Sequence, residues 1–146
     1  MLIQYSKNKK SSCLTWVYLS AFLLLKVNVV YAAGIVIGNG IDHITESKLK
    51  ELYLGKTNEI DGSIINLADY EPLQEEFLEE IVGKSLREYK KDWLRMLFAD
   101  GIAIPVLLKT PEDVMAYIRT TPKSLGYLPV VPEKFESKDI KILLRF

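Results

Sequence analysis

Three glycines do most to constrain what this chain can fold into. Gly55, Gly83 and Gly101 each follow a run whose apolar residues repeat at helical spacing. A glycine in that place enters the left-handed conformation that ends a helix at little steric cost. The helix starts are marked as well. Thr45 can cap the first run, where Leu49, Leu52 and Tyr53 fall at i, i+3 and i+4. Pro72 suits the first turn of the second, where Leu73, Phe77 and Ile81 recur every four residues. Ser85 and Glu88 have capping-box spacing and open a run with Leu86, Tyr89, Trp93 and Leu97 on one face. A fourth run opens on Thr110, Pro111 and Asp113 and carries Val114, Met115 and Ile118.

Strand patterns fill the gaps. "AGIVIGNG" (33–40) is apolar and β-branched, then breaks at Asn39-Gly40, which predicts a strand buried on both faces. Asp61-Gly62 predicts a turn, with a strand across Ile64–Ala68. "IAIPVLL" reads as a loop or a short extended piece, and strands are expected over Ser124–Pro132 and Ile140–Phe146. Strands alternating with helices predict an α/β fold, a small mixed sheet flanked by about four helices.

The chain has 146 residues, enough for one domain, and 19 basic against 19 acidic residues. That balance is uneven. Residues 1–32 hold Lys7, Lys9, Lys10 and Lys26 and no acid, so the rest has 15 basic and 19 acidic residues, a net charge of −4. Such a domain has no global attraction for nucleic acid. The leader combines a basic start, an apolar run over Ser11–Leu25, and Val30 and Ala32 at the −3 and −1 positions of a cleavage point. This is the order of a secretory signal peptide, residues 1–32, with a domain over 33–146 and a periplasmic location. The alternative is a retained N-terminal anchor, although the run falls short of the roughly 20 residues a spanning helix needs. Cys13 is the one cysteine and lies in the leader, so the exported domain has neither disulfide nor thiol nucleophile. Export without disulfides fits a bacterial periplasm.

Few side chains promise chemistry. His43 is the single histidine, next to Asp42, and reads as a loop residue before it reads as a base or a ligand. Without a second His or Cys, no zinc site of the usual ligands is expected. Glu75–Glu79 and Glu76–Glu80 are i, i+4 pairs on the side of a helix away from Phe77 and Ile81, and read as a solvated face. No phosphate-binding loop, dinucleotide fingerprint or nucleophile elbow is present. Tyr53, Tyr89, Trp93 and Tyr127 have the spacing of packing residues. The residue types therefore predict no enzyme, no metal and no cofactor. An anion, if bound, is expected at the strand ends near Asn39, Gly40 and Thr45.

An ordered series of motifs adds a family. "LYLGK" (52–56), Asp61-Gly62, Phe77, the helix from Val114 to Ile118 and "PKSLGYLPV" (122–130) occur in sequence. In this the chain resembles the phosphate-type substrate-binding proteins of bacterial ABC transporters, which have the type-2 periplasmic binding fold. The resemblance runs from about Gly34 to Phe146. It implies a compact single-lobe version of that fold, an exported solute-binding role, a small anion such as phosphate as ligand, and a membrane transporter as partner. Gly55 and Gly126 carry over as structural positions. Two places depart from the pattern. Glu59-Ile60 stand where the family has a tryptophan before its Asp-Gly. "ADYEPLQEEF" (68–77) replaces a Ser-Gly-Thr segment that would present hydroxyls and N–H groups to the anion. Carboxylates repel phosphate and a proline has no N–H. The alternative is therefore a periplasmic interaction or sensor module that keeps the lobe without the transport.

Overall fold

The computed structural model describes residues 34–131 and 138–146. The leader with its apolar run and Cys13 lies outside the described residues, as does Pro132.

A five-stranded sheet forms the centre. Its strands are β1 (Ile35–Asn39), β4 (Asn66–Tyr70), β5 (Val106–Leu108), β6 (Ser124–Leu128) and β7 (Ile140–Arg145), in the order β5-β4-β6-β1-β7. β4 runs parallel to β5 and to β6, whereas β1 runs antiparallel to both β6 and β7. The sheet is mixed, as expected. β1 lies inside it, which is why Ile35, Val36 and Ile37 are all buried with no alternation.

The expected strand from Ile64 divides in two. β2 (Glu59–Ile60) and β3 (Ser63–Ile64) form a separate small hairpin. Its turn residues Asp61 and Gly62 both have positive φ, at 49° and 73°, the geometry that suits a two-residue hairpin loop. The chain enters the main sheet only at Asn66.

Four helices flank the sheet: α1 (Glu46–Tyr53), α2 (Gln74–Phe77), α3 (Leu86–Asp100) and α4 (Pro111–Thr120). Thr45, Ser85 and Thr110 cap α1, α3 and α4 through their side chains, and Ser85 with Glu88 completes the capping box. The α2 segment is less regular than its four-residue period predicts. A 3₁₀ turn over Glu71–Leu73 precedes it and a π-helical turn over Leu78–Val82 follows, closed by Gly83 N–H donating to Leu78 O at 2.7 Å. The wider turn lets Phe77, Leu78, Ile81 and Val82 all face inward.

The helices cover the sheet from both sides. Gly126 on β6 lies beneath α4: a Cβ there would stand 3.5 Å from both Val114 and Ile118. On the other face the rings of Tyr53 and Phe77 pack on Tyr127. α1 is pinned at its end, where Trp93 Nε1 donates to Tyr53 O at 3.0 Å and Tyr53 OH donates to Ala68 O at 2.8 Å. Gly55 follows this junction with φ +65° and with Met96 directly over its Cα. A Cβ there meets both backbone strain and the Met96 thioether. Gly55→Ala is therefore expected to cost about 1–3 kcal/mol, read as a lower urea midpoint by circular dichroism.

Candidate functional site

The carboxyl ends of β4 and β6 are where this sheet is built to hold something. From β4 the chain goes to β5 on one side, and from β6 it goes to β7 on the other. Such a divergence marks the usual ligand position in open α/β sheets, although the cleft nearest to it lies between β4, β5 and α3 rather than between β4 and β6.

Here that position holds a carboxylate of the chain itself. Asp69, in β4, is 3% exposed. Its Oδ2 accepts from Gln74 Nε2 and from Tyr89 OH, each at 2.9 Å, and its Oδ1 accepts from Tyr127 OH at 3.0 Å. The three donors come from α2, α3 and β6, so the carboxylate ties these elements together. Among the described residues every buried side-chain polar atom has a partner. Burial pushes the Asp69 carboxyl from an ordinary 3.8 up to about 6, against the three hydrogen bonds and the Lys90 charge, which favour the ionised form. Burial and the Asp69 charge likewise raise Tyr89 and Tyr127, so both stay protonated donors.

A cleft of about 240 Å³ opens over this group. Asp69, Gln74, Tyr89 and Lys90 line it together with Trp93, Leu94 and Leu107, so most of its wall is apolar and one cation faces it. An apolar cleft with a few convergent polar groups and a perturbed carboxyl has the composition of a binding site. A second cleft, of about 380 Å³, lies between the end of α1, Ile64–Leu67 and Ile102–Val106, and Lys56 and Tyr117 are its titratable residues.

The residues expected to meet an anion lie elsewhere. Asn39 pairs with Ser124 at the start of β6, because β1 runs against the parallel strands. The end of β1 is thus at the opposite end of the strands from Asp69 and Tyr127. Asn39 Nδ2 donates to Ile118 O at 2.7 Å, and Ser124 Oγ to Thr121 O at 2.6 Å, so the pair satisfies carbonyls at the end of α4. Thr45 accepts from Lys48 N within its own helix. Gly40 O accepts from Lys123 Nζ at 2.6 Å. Gly40 lines a small recess of about 110 Å³ with His43 and Lys123, and neither Asn39 nor Thr45 lines it. The structure does not gather the three around one space.

Asp69 was visible in the sequence as a charge unfavourable to phosphate, but its burial was not. The available signal was an acid following Leu67 and Ala68 inside the mostly apolar strand run "IINLADY" (64–70). Tyr89 and Tyr127 pack as their spacing predicts and also turn their hydroxyls onto this acid. The acidic residues Glu75, Glu76, Glu79 and Glu80 are exposed, as a solvated face should be. No protein-family model, no curated protein and no solved structure matches this chain.

Proposed function

We propose that this chain is a periplasmic interaction or sensor module built on a single lobe of the type-2 periplasmic binding protein kind, and that it carries no phosphate. The observation that carries this reading is Asp69. An anion entering the cleft over Asp69 would meet a carboxylate whose donors are already engaged. Like charges in a dry site repel strongly, and the donors needed by phosphate oxygens are spent on the chain's own oxygen atoms. The ordered motifs and the mixed five-stranded sheet support the lobe. No step of catalysis is assigned, since no nucleophile is paired with a base in either cleft.

Titration calorimetry with phosphate, sulfate and small carboxylates tests the reading. No heat and no thermal shift are expected with any of them. Saturable binding of one of these anions would replace the module with a solute carrier.

A solute-binding role has one observation in its favour, the cleft above Asp69. Its walls are mostly apolar, with Lys90 as the one cation, and suit an apolar solute bearing one hydrogen-bond donor to Asp69. Phosphate and a neutral amide or alcohol series, titrated in parallel, separate these two kinds of solute.

A further inference from the structure

β5 is an edge of the sheet, paired only with β4. Successive residues of this strand open on different clefts. Val106 lines the larger one, and Leu107 lines the one over Asp69. Both side chains are partly bare, at 40% and 45% exposure. A strand added to such an edge gains backbone hydrogen bonds, and its alternate side chains point to opposite faces. β5 has only three residues, so the backbone bonds are few and the apolar surface beside them must supply much of the hold.

That surface is present. Leu94 and Phe98, four apart on α3, are 52% and 85% exposed. The same helix continues into a basic end. Arg87, Lys90 and Lys91 line a shallow groove with Leu94, and Glu75 is the acid there. None of the three cations makes an ion pair among the described residues. The nearby acids of α3 are engaged elsewhere, Asp92 with Lys84 and Arg95, and Glu88 in the capping box. A domain with a net charge of −4 thus shows, where Leu94 shares a cleft with Leu107 of the open strand edge, an apolar helix stripe ending in cations that make no ion pair among the described residues.

We propose that the β5 edge, with Leu94, Phe98 and the Arg87–Lys91 cations, docks an extended, acidic segment of a partner protein whose aliphatic side chains alternate. This rests on the interaction-module reading and names its partner class. Charge selects the occupant: a second copy paired edge to edge through the same patch would bring these cations against themselves, which costs binding energy. An acidic segment complements them, and its alternate aliphatic side chains meet apolar surface on both faces of β5.

The test is selection of random peptides of about eight residues on the full-length protein, since a docked strand of that length spans β5 and its flanks. Enrichment of acidic sequences with alternating aliphatic residues is expected. The selected peptide should shift the amide resonances of Val106–Leu108, and Lys90→Glu with Lys91→Glu should weaken it roughly tenfold or more. Because Lys90 also acts on Asp69, Phe98→Ser provides a second variant away from that group and should weaken binding several-fold, by about the loss of one exposed aromatic contact. No enrichment, enrichment of basic or neutral sequences, shifts confined to another face, or unchanged affinity in both variants would overturn the proposal. So would binding to phosphatidylglycerol vesicles with no peptide selected, because that makes the patch a membrane contact. If anions give no heat and no peptide is selected, the docking site alone fails. Anion heat overturns the module itself.

Discussion

Phe77→Ala is expected to destabilise the domain by about 3–5 kcal/mol, the cost of removing a fully buried phenyl ring and leaving its space. Phe77 stacks on Tyr127 with ring centres 4.0 Å apart and planes 11° from parallel. It also meets the edges of Tyr53 at 4.8 Å and Phe146 at 5.2 Å. The three partners come from β6, α1 and the end of β7, so one ring joins four separate parts of the chain. Aromatic pairs add about 0.5–1.5 kcal/mol each beyond area burial, which places this site at the upper end of the range. Total stability in a domain of this size is about 5–15 kcal/mol, so the variant keeps only part of its folding reserve. Urea unfolding followed by circular dichroism measures the loss. A change under about 1 kcal/mol would mean that the stack does not hold the α2 segment to the sheet. Phe77→Leu, which keeps most of the volume, should recover more than half of the loss.

Stability should fall as pH rises from about 4 to about 6, by up to about 3 kcal/mol, because of Asp69. The sign follows from which state holds the proton. Asp69 has its carboxyl raised to about 6 in the fold, against 3.8 in the open chain. Between those values the native state keeps a proton that the unfolded chain has released. Its contribution is complete below the unfolded value and is lost as pH passes through the folded one. Burial is the cause, and Tyr89, Tyr127, Gln74 and Lys90 each act against it. Asp42, Glu88 and Asp92 have lowered values, through Lys141, Ser85 and Lys84 respectively. They weaken the fold as pH drops through those values, in the more acidic range. Asp69→Asn should flatten the profile between about pH 4 and 6, since an amide cannot ionise and tyrosine hydroxyls can turn to accept from it. A wild-type profile that stays level there would show that the site does not hold its carboxyl protonated.

How much was legible depended on how far each cause reached along the chain. The α1, α3 and α4 starts were legible at Thr45, Ser85 and Thr110, because a cap and its N–H lie three residues apart. The turn at Asp61-Gly62 was legible because only those two residues set it. The π-helical turn before Gly83 was not. A four-residue period in Leu73, Phe77 and Ile81 describes a regular helix, and the inward pull on both Leu78 and Val82 widens it. Strand direction was hidden too, since β1 has the same apolar pattern whichever way it runs. That direction put the end of β1, with Asn39 and Gly40, at the end of the strands opposite Asp69.

The amino-acid sequence by itself determined the helix starts at Thr45, Ser85 and Thr110, the Asp61-Gly62 turn and the α/β class, because caps and turns act over a few residues. Tertiary structure alone decided the surroundings of Asp69. Asp69 meets Tyr89 across 20 residues and Tyr127 across 58. Only when α3 and β6 close over β4 does the dry pocket form in which that carboxyl is both buried and satisfied. The same closure leaves β5 at the edge beside Leu94, which turns a short apolar run into an accessible strand.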